Sequence, residues 1–515
     1  MDMKTFAALL SLSLVPGAQI AAQDQDAEDR YSVQPPVQLQ PGYTLDPRQR
    51  FSLEMGGIGR EPIGIRDIEV NGRRLPDSAR SAQLGRLEIV PDADLRIGVN
   101  RITIRYEHRV DAKHSAAENP VQWTFYVNHQ RARVGVAMGK RGELIVEGKR
   151  RFALGGYRSG QGDRFIEDLP SAAQAGLSLV HDYKFEQAYP GRDGVEVFVK
   201  EARAYLKRAR QLGLGVFMGL PRVAVRGYDE AVLATIVSAL SNEPALWMWY
   251  VYDEPTEPTL PVETASRIHA LLRRLDPNRP SVILANSDSS VLRYHPFCDV
   301  LWYDRYPIVA TSKDLVSLAP IAAALQLSRE VVPAGKPVWP VLQVQDNKGS
   351  PALRRRMVKL AAPSDANHRP TVDEIRAESH VAIAQGAMGL IYYWAPDAWY
   401  SMKTDTPGTW AGFSQVLKEL ASIEAALLSD ERPPELQVTG GHDKAMMWTR
   451  QLGSEVYVGL VNAAQHAKAE LRVQAPFAPA SIRKLFGDGK VSLDGKGMRV
   501  TLGSAGVAVL ALKLP

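Results

Sequence analysis

Leu246-Trp247-Met248-Trp249-Tyr250-Val251-Tyr252-Asp253-Glu254-Pro255 is the stretch on which the fold of this 515-residue chain turns. Seven apolar or aromatic residues run unbroken from Leu246 to Tyr252 and stop at two carboxylates and a proline. A strand covered on both faces reads as such a run, and both-face cover is typical of parallel sheets in α/β proteins. Proline removes a ladder donor, so the strand is expected to end at Pro255.

Seven similar runs lie on either side: FALGGY (152–157), LSLVHD (177–182), LGVFMGL (214–220), SVILAN (281–286), DVLWYD (299–304), PVWPVLQ (337–343) and MGLIYYWA (388–395). Helical patterns separate them, such as GVEVFVKEARAYLKRARQLG (194–213) and PVETASRIHALLRRLD (261–276). Eight strand–helix repeats over residues 139–430 predict a (β/α)8 TIM barrel. A doubly wound sheet also alternates but has fewer strands, and LGGYRSGQG (154–162) lacks the helix-opening pattern of a phosphate loop.

Period-two strands flank the barrel. RLEIVP (86–91), NRITIRYEH (100–108) and VQWTFYVN (121–128), with a turn signal at Asn71–Gly72, predict an N-terminal β-sandwich over 46–138. AMMWTRQ, EVYVGLVNA, AELRVQAP and GVAVLALKLP predict a C-terminal β-sandwich over 431–515. Residues 23–45 are polar and rich in Pro and Gln, which predicts a flexible leader. Before them, FAALLSLSLVPGAQIAA follows Lys4 and ends in small residues, the pattern of a signal peptide over 1–22 cleaved near Ala22. It is shorter than a bilayer span. A secreted or periplasmic protein is expected.

Composition narrows the function. Apolar residues are 45% and charged residues 23%, which excludes a largely disordered chain. The net charge of +5 comes from 62 basic against 57 acidic residues and is too slight to point to nucleic acid. The lone cysteine, Cys298, excludes an intramolecular disulfide and a Cys-rich zinc site and reads as a buried filler. Histidines at metal-protease spacing and a G-x-S-x-G elbow are both missing. The basic run at 354–357 reads as solvated surface. No cofactor, metal or membrane span is expected, and the oligomeric state stays open.

Barrel enzymes place their chemistry at the C-terminal strand ends. Those ends hold Tyr157, His181, Asp182, Asp253, Glu254, Asn286, Asp304, Tyr306, Gln343, Asp346, Trp394 and Asp397. Trp302 lies two residues before Asp304. Carboxylates among indoles and phenols suit glycosidic chemistry. Aromatic residues on barrel strands are as often packing as binding, whereas Asp253 and Glu254 after an apolar run are costly to bury without a partner or a function. Neighbouring strand residues face opposite ways, so both enter one pocket only if the strand ends or bulges there.

The stretches LWMWYVYDEP, DVLWYDRYPI, PVWPVLQ and RPTVDEIRAESHVAIAQGAMGLIYYW resemble the glycoside hydrolases of clan A. These are (β/α)8 retaining enzymes related to β-galactosidases and cellulases, and the look is that of exported bacterial members. The resemblance implies an exported glycosidase acting on an oligo- or polysaccharide, with Glu254 as general acid/base. Asp253 stands where the clan has Asn, and Gln343 stands where it has its nucleophilic Glu. Three readings follow. Asp304, or next Asp346, could be the partner carboxylate, with inversion if the separation is wide. Asp253 and Glu254 could serve a substrate-assisted reaction, as adjacent Asp-Glu pairs do in hexosaminidases. Or the barrel is a carbohydrate-binding or cell-envelope scaffold without turnover. Tyr157, His181, Asp182, Asn286, Trp302, Tyr306, Gln343 and Trp394 are the expected sugar contacts.

Overall fold

The computed structural model describes residues 135–139, 141–158, 166–186, 191–308 except 278, 317–332, 336–344, 370–394 and 402–515 except 442–443, 465–466 and 495–496. It also describes N-terminal segments at 31–34, 51–57, 64–75, 80–83, 86–89, 98–107 and 121–127. The expected signal peptide, the basic run at 354–357, Asp346 and Asp397 lie outside these residues.

All eight apolar runs are strands of one closed parallel barrel: β1 (Ala153–Arg158), β2 (Leu179–Asp182), β3 (Gly215–Gly219), β4 (Leu246–Asp253), β5 (Ser281–Ala285), β6 (Val300–Asp304), β7 (Val338–Gln343) and β8 (Gly389–Tyr393). Each pairs with the next, and β8 closes on β1 through Ala153↔Gly389 to Tyr157↔Tyr393. The helices are α1 (Leu169–Ala175), α2 (Gly191–Gln211), α3 (Arg222–Gly227), α4 (Glu230–Leu240), α5 (Val262–Leu275), α6 (Asp288–Tyr294), α7 (Ala319–Val331), α8 (Val372–Ala384) and α9 (Pro407–Ser422).

The strands split their apolar residues between two cores. In β6, Val300 and Trp302 face the barrel interior while Leu301 and Tyr303 face the helices. Both faces are therefore buried, which is why the runs carry no polar alternation. On α2, buried Val195, Phe198, Ala202, Tyr205 and Ala209 recur at helical spacing and close the outer core. The start of α8 is fixed by a capping box between Thr371 and Glu374.

A three-stranded sheet, Val136–Met138, Leu144–Val146 and Lys149–Arg151, closes the barrel base. Its Val136, Met138, Leu144 and Val146 join the interior core, and Trp339 Nε1 donates to Gly142 O at 3.0 Å. The strand at 136–138 thus belongs to the barrel base, just before the expected boundary at 138.

Antiparallel sheets flank the barrel, as the strand patterns predict. Two four-stranded sheets precede it, in the orders 31–34, 51–57, 86–89, 80–83 and 73–74, 64–70, 98–107, 121–127. Tyr31–Gln34 pair with Glu54–Gly57, which corrects the expected flexible leader over those four residues. After the barrel, two four-stranded sheets enclose a core with Val458, Leu460, Val473, Val500 and Leu510. Trp448 of this sandwich stacks on His380 of α8 and donates Nε1–H to its Nδ1 at 3.1 Å. Cys298 is buried, and burial pushes its thiol up to about 11, in keeping with a filler.

Candidate active site

The inward rows end at the C-terminal mouth of the barrel. β4 is eight residues long, and its register against β5 slips between Tyr250 and Tyr252. This bulge turns Val251 and Tyr252 into the helix layer, while Tyr250 faces inward and donates to Asp253 Oδ1 at 3.0 Å. The strand ends at Asp253. Glu254 then adopts a left-handed backbone, φ +50°, before Pro255. An L-residue with a large side chain pays about 1–2 kcal/mol for that conformation. The ending and the left-handed turn together let Asp253 and Glu254 act on one space.

Asp304, the last inward residue of β6, meets them there. It is buried, with Glu254 and Tyr306 close enough to act on its carboxyl. Burial raises its carboxyl well above the usual range. The charge of Glu254 and the charge of Asp253 raise it further. A proton is therefore held on this pair. Asp304 Oδ1 is buried with no hydrogen-bond partner. Asp253 is pushed up to about 7 by burial, then by the charges of Glu186 and Glu254, against the pull of Arg222 and the Tyr250 hydroxyl.

Glu186 and Arg222 complete the cluster, and neither was anticipated. Glu186 sits in a short helical turn, Tyr183–Glu186, directly after β2, and is buried. Arg222 opens α3 after β3. Its Nε donates to Glu186 Oε2 at 2.9 Å and its second terminal nitrogen to Asp253 Oδ2 at 3.2 Å. Burial would lower Arg222, but the two carboxylates outweigh it and hold it above its ordinary value. His181 Nδ1 lies 2.8 Å from Phe217 O, which accepts only from an N–H. Its Nε2 lies 2.8 Å from Glu186 Oε1.

Gly219 makes room for this arrangement. A Cβ there would stand 2.6 Å from Glu186 Cγ and 3.0 Å from His181 Cε1. Gly219→Ala is expected to shift Glu186, loosen Arg222 and weaken any ligand bound at the mouth. Calorimetric titration against the wild type checks this, and equal affinity would argue that the cluster does not shape the site.

The expected contacts divide. Tyr306 is half-buried and stacks on Tyr393 at 6.1 Å. Asn286 follows inward Leu284 in register and is half-buried, its carbonyl taking Arg305 at 2.9 Å. Gln343 is buried, takes Ile308 N at 3.1 Å on Oε1 and leaves Nε2 unpartnered. Tyr157 lies deeper, fully buried, stacked on Tyr183 and donating to Tyr250 at 2.9 Å. Four expected contacts are engaged elsewhere in the structure. His181 is fully buried with both nitrogens engaged. Asp182 points away from the interior row and takes Lys184 N at 2.9 Å, tying the turn. Trp302 is a core residue between Phe217 and Trp339. Trp394 lies outside the barrel against Trp410, its indole so close to Gly156 that a Cβ there would clash at 2.3 Å. Tyr393 holds the inward place instead.

Ionisation links the cluster to stability. The Asp253 carboxyl rises from about 3.9 in an unfolded chain to about 7 in the fold. Its protonated form is favoured on folding, so that stabilisation is complete below about pH 4 and is lost as pH rises through about 7. Unfolding free energy is expected to fall between about pH 4 and 7 and to level off above. Asp253→Asn is expected to flatten that slope in chemical denaturation; an unchanged slope would count against the protonated Asp253.

Among the described residues, no group of three His, Cys, Asp or Glu is arranged to hold a metal, and no helix is long and apolar enough to cross a membrane. No family model and no curated protein matches the chain. Solved structures that match it include three glycosidases. An alpha-amylase from Geobacillus thermoleovorans, complexed with acarbose, shares 11% identity over 70% of this chain and 98% of its own, at a TM-score of 0.48. A GH30 endoxylanase from Clostridium papyrosolvens shares 14% over 71% and 97%, at 0.40. A β-D-glucuronidase from Dictyoglomus thermophilum shares 14% over 72% and 66%, at 0.38. Strand pairing defines the barrel, and the chemistry rests on the residues at its mouth.

Proposed function

We propose that this chain hydrolyses a glycosidic bond in an oligo- or polysaccharide, with Glu254 giving its proton to the leaving oxygen. The observation that carries this is the pair Glu254–Asp304. Glu254 is exposed at the mouth, and its neighbour Asp304 is buried with its carboxyl held well above the usual range by burial and by the charge of Glu254. A general acid for sugar chemistry must keep a proton near neutral pH while facing substrate. The buried member keeps the proton in the pair, and the exposed member delivers it.

Paired glycosidase carboxylates stand about 5–5.5 Å apart for retention and about 6.5–9.5 Å for inversion. Glu254 and Asp304 are neighbours, and the charge of Glu254 acts directly on Asp304. Asp304 therefore acts on Glu254 and not on the sugar carbon. The attacking group is a water or the substrate's own acetamido oxygen, and Asp253, steadied by Tyr250 and Arg222, is the residue that orients it. Neither route needs a nucleophile at Gln343. Export is part of the proposal and rests on the pattern of residues 1–22; a mature N-terminus near residue 23 tests it.

The deciding experiment is turnover of a glycan panel with N-acetylated and acidic members, with the product anomer read by NMR. Cleavage confined to N-acetylated substrates with retention supports the acetamido route. Inversion supports the water route. Binding without cleavage across the panel would overturn the proposal in favour of a scaffold.

A further inference from the structure

We propose that the base of the barrel, opposite the mouth, binds a small organic anion: a carboxylate or phosphate group carried on an apolar body. A cavity of about 280 Å3 lies there, where β7 and β8 begin and α7 and α8 end. Its walls are mainly apolar, with Leu325, Trp339 and Met388, and it is ringed by Arg141, Arg329 and Lys336. Asp and Glu are missing from the described residues that line it.

Most hydrogen-bond partners of these cations are carbonyl groups, which neutralise no charge; Arg141 also donates to Met388 Sδ at 3.6 Å, and the charge of Lys336 acts on buried Asp299. Arg141 donates to Leu427 O at 3.3 Å and to Ser429 O at 2.5 Å. Arg329 donates to Gln385 O and, at 2.7 Å, to its side-chain oxygen. Lys336, buried, donates to the carbonyls of His295 and Cys298. Arg141 has one carboxylate within reach, Asp430 at 3.7 Å, but Arg150 holds that group with two shorter bonds, at 2.7 and 3.0 Å.

Charge accumulates beside Arg141 too. Arg450, from the C-terminal sandwich, is pulled down to about 10 by burial and by the charge of Arg141. Its Nε is buried without a hydrogen-bond partner. Burial also lowers Arg329, and no carboxylate offsets it. Cations near helix C-termini are ordinary caps, and this explains Arg141 and Arg329 one at a time. It does not explain why they meet Lys336 around one apolar hollow. Positive charge gathered in a partly dry, concave site favours an anion, and apolar walls with a few convergent polar groups are the make-up of a small-molecule pocket. The volume suits one ring with one charged group. This site is at the opposite end of the barrel from Glu254, so it stands whether or not the chain is a glycosidase.

Isothermal titration with phenylphosphate, benzoate and inorganic phosphate tests it on the full chain. Saturable binding is expected, tightest for a probe with a ring. Arg329→Gln, at the exposed rim, is expected to weaken it about tenfold or more, since a bond to a charged group is lost. Glu254→Gln is expected to leave it unchanged. Lys336→Met should abolish it, but that side chain is buried, so Arg329→Gln carries the decision if Lys336→Met fails to fold. No saturable heat with any probe, equal binding by Arg329→Gln, or binding lost in Glu254→Gln would each overturn the proposal.

Discussion

Glu254→Gln is expected to cut turnover by about 10^2- to 10^4-fold, the range a positioned general acid supplies. The fold should survive, because Glu254 is exposed and glutamine keeps its shape. The substitution also changes Asp304. A glutamine amide carries no charge, so the influence of Glu254 that raises Asp304 vanishes. Asp304 should then ionise at lower pH. The residual activity of Glu254→Gln should accordingly lose the alkaline limb that the wild type shows. Turnover of a cleaved glycan from pH 4 to 9, for both proteins, gives both results at once. Equal rates would remove Glu254 from catalysis and return attention to Asp253.

Arg222→Met is the second large effect. Arg222 is the bridge between Glu186 and Asp253, at 2.9 and 3.2 Å. Without it two carboxylates face each other with Glu186 buried. Removing one partner of a buried pair costs about 3–5 kcal/mol. The lower end, about 3 kcal/mol, is expected at pH 7 because the Arg222 side chain is 38% exposed and solvent screens part of the interaction. The loss should shrink as pH falls. Both carboxylates take protons in acid, and a neutral carboxyl no longer needs the guanidinium. Arg222→Lys should recover only part of the stability, since one ammonium does not span two carboxylates as a planar fork does. Urea midpoints for the three proteins at pH 4 and pH 7 check this. A loss of equal size at both pH values would mean that Arg222 acts by packing and not by charge.

The barrel was legible because burial on both strand faces leaves long apolar runs, and all eight became strands in the positions they occupied. The carboxylates of β4 and β6 were legible because each closes such a run. What failed was side-chain direction. Counting in twos from Ile391 puts Tyr393 inside and Trp394 outside, and from His181 it puts Asp182 outside; reading the last residue of each run ignores this. Depth failed as well. Trp302 faces inward but lies below Asp304, in the aromatic floor. Glu186 and Arg222 were missed because neither closes a run. One lies in the turn four residues after Asp182, the other three residues after Gly219, in a run that ends without a charged group. A half-buried cation bridging two carboxylates leaves no periodic trace in sequence. The signal that was available is chemical: β3 ends without a polar residue, so the first charged residue beyond it was the one to inspect.

The left-handed backbone of Glu254 has a consequence for anyone improving this protein by selection. Glycine accepts φ +50° without penalty. A search for heat tolerance that does not assay turnover would therefore favour Glu254→Gly, gaining roughly 1 kcal/mol of relief while removing the proposed proton donor. Directed evolution on this scaffold would drift toward robust, inert variants unless each round also scores product.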